Sequence, residues 1–266
     1  LRHILTHTTG WRLVEADAIS REAIIAALCD AELEPGWLPG QQAAYQVAAG
    51  WHLLGEVIRR ITGRPFERYV REAIFEPLGM RDSWISLTPE QQRAYGDRLG
   101  VMHSREEGSL RLIPWTYDEE NAPPKPGGSG YGPIRELGRF YEMLLLRGQR
   151  GEARILSPQT VEALTARHRV GMFDHTFEHI IDWGLGFVSD SKQYGVNTVP
   201  YGFGPHCSPR TFGHGGSQCA MGFCDPEHEL VVAWVCNGRP GEGRHQRRNR
   251  AINAAIYEDL TLSDRE

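Results

Sequence analysis

The segment that decides the fold reads Phe212-Gly213-His214-Gly215-Gly216-Ser217 and stands in the most strand-like part of the chain. Glycines inside a strand leave the backbone bare, so another group can approach the main chain closely. Backbone N–H groups beside such glycines can bind an acyl carbonyl oxygen, as an oxyanion hole requires. A hairpin turn that happens to contain a histidine is the alternative interpretation of the same residues.

Short strand-like segments surround this motif, and a helical pattern follows them. The predicted strands cover residues 184–188, 211–214, 218–224 and 229–237. Asp225-Pro226-Glu227-His228 predicts a hairpin turn between the last two. A closing helix is predicted over about 246–260, and its expected packing residues are Ile252, Ala255, Ile256 and Leu260.

The first half of the chain has a helical pattern. The signals that mark starts and stops are Ser20 as a cap, Gly63 as a stop, Pro65 at a first helical position, and Ser157-Pro158 opening a helix to Thr165. The stripe expected to pack is Leu53, Leu54, Val57, Ile58 and Ile61, and a further helix is predicted over 134–147. Residues 86–132 show no steady period and predict a long excursion that shapes a site. Helices followed by an antiparallel meander and a packing helix predict the α+β class.

Composition excludes several classes of protein. The 266 residues are 40% hydrophobic and 24% charged, which is typical of a soluble domain. The longest apolar run, Leu230–Cys236, is far shorter than a membrane helix needs. A net charge of −5 predicts neither a nucleic-acid nor a membrane partner. The five scattered cysteines form no C-x-x-C pair, which favours reduced thiols in a cytoplasmic protein.

A second candidate segment is Pro39-Gly40-Gln41-Gln42-Ala43-Ala44-Tyr45. An unperturbed phenol has a pKa of about 10, so Tyr45 needs nearby cations to act as a base at neutral pH. Only two of the 29 basic residues are lysines, Lys125 and Lys192. A half-buried packing role is the alternative for Tyr45.

Together these segments make the chain resemble the serine β-lactamase-like hydrolases, which comprise class C β-lactamases, family VIII carboxylesterases and DD-peptidase relatives. The matching stretches are LRHILTHTTGW at 1–11, residues 39–80 with LLGEVIRRITGRPF and FEPLGM, residues 127–140, ILSPQT at 155–160 and the His214-Gly215-Gly216 strand. Their order and intervals are those of the family. The resemblance implies a single hydrolase domain over 1–266, with a helical region at about 10–165 and the sheet and last helix at about 180–262.

The resemblance also assigns roles to residues. Tyr45 matches the tyrosine that exchanges protons with the nucleophile and the leaving group. His214 takes the place of the strand lysine or histidine, which would stabilise charge near the tyrosine and the acyl group. Gly215, Gly216 and Ser217 would bind the substrate, and the Ser217 backbone N–H would form half of the oxyanion hole. The implied substrate is a small ester or amide, with no metal and no organic cofactor.

Two features depart from the family pattern. The tyrosine motif usually ends in Asn or Ser, whereas this chain reads Tyr45-Gln46-Val47, which favours ester over β-lactam or peptide substrates. The family's S-x-x-K motif lies upstream of the segment that here begins at Leu1. The S-x-x-K at Ser189–Lys192 falls among predicted strands and is interpreted as a chance match. We therefore expect the missing N-terminal segment, or a partner chain, to supply the serine and lysine.

Other motifs point to other chemistries. His175-Thr176-Phe177-Glu178-His179 fits H-x-x-E-H, which binds zinc on a helix, but here it leads toward a strand and a polar loop is favoured. The glycine-rich stretch at 128–132 follows prolines and is a poor phosphate site.

A serine esterase is the first functional expectation, and a β-lactam or D-amino-acid peptide hydrolase is the second. A non-catalytic binding protein on the same fold, without its nucleophile, is the alternative of a different class.

Overall fold

The structure, a computed structural model, describes residues 1–11, 20–105, 108–113 and 124–263. Its helices are α1 (Arg2–Leu5), α2 (Arg21–Asp30), α3 (Ala49–Thr62), α4 (Phe66–Val70), α5 (Pro89–Tyr95), α6 (Ile134–Leu145), α7 (Pro158–Thr165) and α8 (Glu242–Asp259). A π-helical turn, Arg71–Phe75, continues α4. Its strands are β1 (Trp84–Ile85), β2 (Met102–Ser104), β3 (Arg111–Ile113), β4 (Gly130–Tyr131), β5 (Gln149–Arg150), β6 (Ala153–Arg154), β7 (Phe173–Asp174), β8 (His179–Ile180), β9 (Val188–Ser189), β10 (Phe212–Gly216), β11 (Ala220–Asp225), β12 (Leu230–Val235) and β13 (Gly238–Arg239). The class is mixed α+β, as predicted.

Several helix ends lie where the sequence signals place them. The Ser20 hydroxyl accepts a hydrogen bond from the Ala23 N–H at 3.2 Å and caps α2. Ser157 caps α7 in the same way. Gly63 ends α3 in the left-handed conformation at φ +68°, which favours glycine. Pro65 caps α4 and so precedes the first helical position predicted for it.

The predicted excursion over 86–132 is only partly irregular. It contains α5, which opens with a capping box between Thr88 and Gln91. No apolar period in the sequence marks this helix, because it is short and polar. Residues 106–107 and 114–123 of this stretch lie outside the described residues.

Contacts divide the described residues into two compact units. The first comprises those within Leu1–Leu99, Trp115–Glu136 and Phe173–Glu178. The second comprises those within Gly100–Pro114, Leu137–Met172 and His179–Glu266.

In the first unit, α3 packs through small residues. Ile24 and Leu28 of α2 bury against Ala49 at its start. A Cβ on Gly50 would lie 2.6 Å from the Ile4 side chain, so only glycine admits α1 this closely. The predicted apolar stripe is only part of the buried face: Leu53 packs against the cluster of Ile24 and Leu28, but Ile61 is 79% exposed, and the polar His52 and Glu56 are buried. The small residues Ala49 and Gly50 are buried as well.

The second unit is built on a four-stranded sheet of order β12-β11-β10-β9. All its pairings are antiparallel, and β10 faces β11 with Phe212 opposite Cys224 and His214 opposite Gly222. The predicted turn at 225–228 joins β11 and β12. The strand predicted over 184–188 is shorter and lies at Val188–Ser189. Among the described residues, none of the helices has the length and apolar character to cross a membrane.

Helix α8 covers this sheet with a polar face. Its fully buried residues are His245, Asn249, Asn253 and Tyr257. The Trp234 indole of β12 donates to Asn253 at 2.9 Å, and Asn249 and Asn253 both donate to the Gly202 carbonyl. Of the apolar residues expected to pack, Ile252 and Ile256 are half-buried, and Ala255 and Leu260 are exposed. Satisfied hydrogen bonds allow amides to be buried where an apolar pattern was expected.

Candidate active site

Tyr45 lies in a loop segment that leads into α3. The bridge between Ala43 and Asp174 lies just before it, and Val47, 65% exposed, lies just after it. Tyr45 itself is partly buried between the rings of His7 and Phe177, whose centroids are 4.7 Å and 4.8 Å from its own. The tyrosine is therefore enclosed by side chains of the first unit on two sides.

Hydrogen bonds fix the backbone around this tyrosine. The Tyr45 N–H donates to Asp174 Oδ1 at 3.0 Å. The Ala44 N–H donates to the His7 carbonyl at 3.0 Å, and the Gln46 N–H donates to His7 Nδ1 at 3.2 Å. Three consecutive amides are thus held by two buried residues that lie far away in sequence.

Asp174 is a fully buried carboxylate that serves several donors. Besides the Tyr45 N–H, its Oδ1 accepts the N–H groups of Thr176 at 2.9 Å and Phe177 at 3.1 Å. The Thr176 hydroxyl in turn donates to the Tyr45 carbonyl at 3.0 Å. These bonds connect residues 174–177 to residues 44–46, the Tyr45 segment.

The electrostatics of this segment favour the neutral phenol. Burial, and then the negative charge of Asp174, raise the pKa of Tyr45 to about 12. At neutral pH the phenol therefore keeps its proton. A positive charge next to the phenol oxygen would lower this pKa into the range useful for proton transfer.

His214 lies in the middle of β10. Its Nδ1 is 2.6 Å from the Gly215 carbonyl, and the Trp183 ring lies edge-on at 5.7 Å between centroids. Burial lowers the pKa of His214 despite this hydrogen bond. Because Nδ1 faces a carbonyl, it carries the proton, and Nε2 of the neutral ring is an acceptor. The ring offers hydrogen bonding at neutral pH and not a full positive charge.

Gly215 and Gly216 of the motif differ in the space around them. A Cβ on Gly215 would lie 2.3 Å from Tyr201 Cδ1, so the group that approaches its bare face is a side chain of the same unit. A Cβ on Gly216 would meet only Ala220 Cβ at 3.4 Å, which is ordinary contact. Packing therefore explains Gly215, while Gly216 is left without a packing reason.

The turn after β10 has an unusual backbone. Ser217 and Gln218 have φ values of +32° and +60°. Ser217 is exposed, whereas the buried Gln218 accepts the Gly241 N–H through its side chain at 2.9 Å and fastens the turn to the start of α8. His214, Gly215, Gly216 and Ser217 thus lie together on one hairpin of the second unit, and Tyr45 belongs to the first.

The other sequence motifs take up structural positions. Residues 175–178 form a turn between β7 and β8, so H-x-x-E-H is not on a helix. His179 contacts the Ile180 carbonyl and the Thr198 hydroxyl through its two ring nitrogens. Among residues 1–11, 20–105, 108–113 and 124–263, no group of three His, Cys, Asp or Glu side chains could hold a metal ion.

The S-x-x-K match is divided between a strand and a turn. Ser189 is buried in β9 opposite Phe212, and Lys192 opens a 3-10 turn. The Lys192 ammonium donates to the Cys207 carbonyl. This differs from a serine and lysine on one turn of a buried helix, in agreement with the interpretation as a chance match.

Two residues of the site were missed by the sequence reasoning. His7 lies inside the stretch at 1–11 that carried the resemblance, yet no role was assigned to it. Asp174 is 129 residues from Tyr45 along the chain, and no local pattern connects them. An invariant pairing in related sequences is the kind of signal that could have linked the two.

The profile of the family described as Beta-lactamase matches residues 1–256. The chain belongs to the β-lactamase family. A putative D-alanyl-D-alanine carboxypeptidase of Escherichia coli (strain K12) is 26% identical over 212 residues, which cover 75% of this chain and 46% of that protein. The chain thus spans about half the length of the curated relatives it matches.

Solved structures share the fold of this family member. A penicillin-binding protein homolog from Caulobacter crescentus has a TM-score of 0.70 at 24% identity, over 94% of this chain and 70% of the other. A family VIII carboxylesterase has a TM-score of 0.68 at 24% identity, with the same coverage of both chains. The β-lactamase-like fold is therefore established, and the family is one of serine hydrolases.

Proposed function

We propose that this chain is part of a serine hydrolase that cleaves an ester through an acyl-serine intermediate, with the serine and lysine supplied from outside residues 1–266. The observation that carries the proposal is the constraint on Tyr45. Three consecutive amides around it are held by buried His7 and Asp174. Such support is what a proton-transferring side chain needs, because small misplacements are costly in catalysis.

The reaction has two steps. With Tyr45 as the phenolate, the serine oxygen attacks the ester carbonyl while its proton passes to the phenolate oxygen, and the collapsing tetrahedral intermediate expels the alcohol, which takes that proton. Water then attacks the acyl-serine ester, loses a proton through the same oxygen, and the acid leaves as the serine is reprotonated. The Ser217 N–H, together with the nucleophile's own N–H, would bind the oxyanion of both intermediates.

Tyr45 requires help to play this part. Its pKa of about 12 holds it protonated, because burial and the charge of Asp174 both disfavour the phenolate. A lysine ammonium beside the phenol oxygen would oppose both effects and allow the tyrosine to accept the serine proton. The proposal therefore requires a cation beside the phenol oxygen, which we assign to the same lysine that accompanies the nucleophile.

An ester is favoured because of the residue after Gln46. Val47 is 65% exposed, and its apolar side chain offers no donor or acceptor to an amide group of the substrate. Hydrolysis of a D-amino-acid peptide is the second substrate class, and it is supported by the name of the Escherichia coli relative, a putative D-alanyl-D-alanine carboxypeptidase.

A non-catalytic binding protein is the second candidate function. It is supported by the position of Ser189, the serine of the chain's S-x-x-K match, which is buried in a strand and not at the start of a helix. In that case the protein would bind an acyl compound without cleaving it.

Labelling with a fluorophosphonate separates the two functions. We expect the complete gene product to gain one adduct by intact mass, and residues 1–266 alone to gain none. Peptide mapping should place the adduct on a serine followed three residues later by lysine, upstream of Leu1. An adduct at Ser189, or an unlabelled complete product whose gene encodes no such motif, would contradict the enzyme proposal.

A further inference from the structure

His7 lies in a run of buried polar residues, which also includes Thr6, Thr8 and Thr9. Buried polar groups need hydrogen-bond partners, and these residues find them in one another and in the tyrosine segment. The Thr6 and Thr8 hydroxyls are 3.0 Å apart, and Thr9 Oγ1 accepts the Gln46 side-chain amide at 3.1 Å. The run is therefore built as a polar support for the residues beside it.

His7 contacts every residue from Ala44 to Gln46. Its carbonyl accepts the Ala44 N–H, its ring packs on the Tyr45 ring with 53° between the planes, and its Nδ1 accepts the Gln46 N–H. The backbone of His7 is left-handed at φ +54°, a conformation uncommon outside glycine. That conformation lets one residue present both its carbonyl and its ring to the same segment.

The hydrogen bond from the Gln46 N–H fixes the protonation state of the His7 imidazole. A backbone N–H can only donate, so His7 Nδ1 must carry a lone pair. The neutral ring then bears its proton on Nε2. The other proton arrangement, and the doubly protonated ring, would each place a hydrogen where the Gln46 hydrogen already lies.

We propose that His7 is a positioning residue that sets the orientation of the Tyr45 phenol for proton transfer. It acts through the Nδ1 acceptor, which holds the amide after the tyrosine, and through the ring contact. This inference deepens the proposed function and rests on it. Asp174 holds the tyrosine amide itself, so the two residues fix the segment from both sides.

Three substitutions of His7 in the complete gene product separate the contributions of its hydrogen-bond acceptor, its ring and its size. His7→Asn keeps an oxygen acceptor near the Nδ1 position and tolerates a left-handed backbone. His7→Phe keeps a ring without the acceptor, and His7→Leu removes both. We expect His7→Phe to lower kcat for p-nitrophenyl esters about 10- to 100-fold with KM changed less than twofold, and His7→Asn to regain most of that loss.

The outcomes decide the role. If His7→Phe retains the activity of the wild type, or if His7→Asn is as impaired as His7→Leu while both remain folded by circular dichroism, the positioning role is overturned. A loss seen in KM alone would also contradict it, because an orienting residue for proton transfer acts on kcat.

A second measurement does not depend on activity. Nitrogen-15 NMR of the His7 ring should show the neutral form protonated at Nε2 at pH 7, with protection of the Gln46 amide against hydrogen exchange that His7→Phe abolishes. A ring protonated at Nδ1 would overturn the inference even in an active enzyme. If no ester is cleaved but these signals appear, the proposed function fails while the support of Tyr45 by His7 stands.

Discussion

The Tyr45 segment and the β10–β11 hairpin are built in opposite ways. The amides of residues 44–46 are held by His7 and Asp174, which are distant in sequence. The hairpin is held by five consecutive register pairs between adjacent strands. In the first arrangement two of the three amides depend on single side chains, whereas the second distributes its stability over a ladder of backbone bonds.

This difference predicts how substitutions will affect each region. In the Tyr45 segment a buried donor is left unsatisfied as soon as one acceptor is removed. In the hairpin, side-chain changes leave the ladder intact unless they collide with a packed neighbour. Substitutions in the two regions should therefore fail for different reasons, and the following predictions test this.

The largest effect is expected at Asp174. Alanine would leave three backbone N–H groups without their acceptor and lower the free energy of unfolding by about 3 kcal/mol or more. Asparagine keeps an oxygen acceptor without the charge, so it should retain most of the stability and lower the Tyr45 pKa from about 12. Urea unfolding and carbon-13 NMR of the tyrosine ring measure the two effects. Equal stability of Asp174→Ala and the wild type would show that the Tyr45 segment does not depend on this side chain.

Removal of the Tyr45 hydroxyl should be the next largest. In the complete enzyme Tyr45→Phe is expected to reduce p-nitrophenyl ester turnover about 100-fold, or about 2.7 kcal/mol, the usual scale of lost acid–base assistance. The ring contacts with His7 and Phe177 remain, so the melting temperature should change little. Near-normal turnover would remove Tyr45 from the mechanism.

The two hairpin glycines give a matched pair of smaller effects. Gly215→Ala would place a Cβ 2.3 Å from the Tyr201 ring and should cost about 1–3 kcal/mol of stability. Gly216→Ala meets only Ala220 and should change the unfolding free energy by less than about 0.5 kcal/mol. Thermal unfolding of both variants compares them. A greater loss at Gly216 would show that packing does not distinguish the two positions.

A further effect concerns alkaline pH. The folded-state pKa of Tyr45 is about 12, above its ordinary value of 10, so the unfolded chain loses this proton first. The associated stability is present below pH 10 and is lost as pH rises toward 12. In Tyr45→Phe the free energy of unfolding should therefore fall less steeply between pH 10 and pH 12, and the difference in slope should correspond to at most one proton. Tyr141 and Tyr257, whose pKa values are also raised by burial, contribute to both proteins and cancel in the difference.

The sequence predicted local structure well where one residue sets it. Ser20 and Ser157 cap the helices assigned to them, and the turn after Cys224 lies where its polar residues place it. Buried faces were predicted only in part. In the α3 stripe Leu53 packs against a buried cluster, whereas Ile61 is exposed and the polar His52 and Glu56 are buried.

The candidate site shows the same division. Tyr45 and His214 were predicted because they lie in recognisable local motifs, and their proposed roles still await tests. The contribution of Asp174 could not be predicted, because it depends on a hydrogen bond between residues 129 positions apart. Local patterns identify the side chains with chemistry, but they do not identify the distant groups that hold them.

The buried amides of α8 have a consequence for how that helix is seated. Hydrogen bonds are directional, so they restrict the rotation of a helix more narrowly than apolar contacts do. Asn249 and Asn253 both reach the Gly202 carbonyl, so a rotation that moved either would strand a buried donor. Helix α8 therefore has a single angular setting against the sheet.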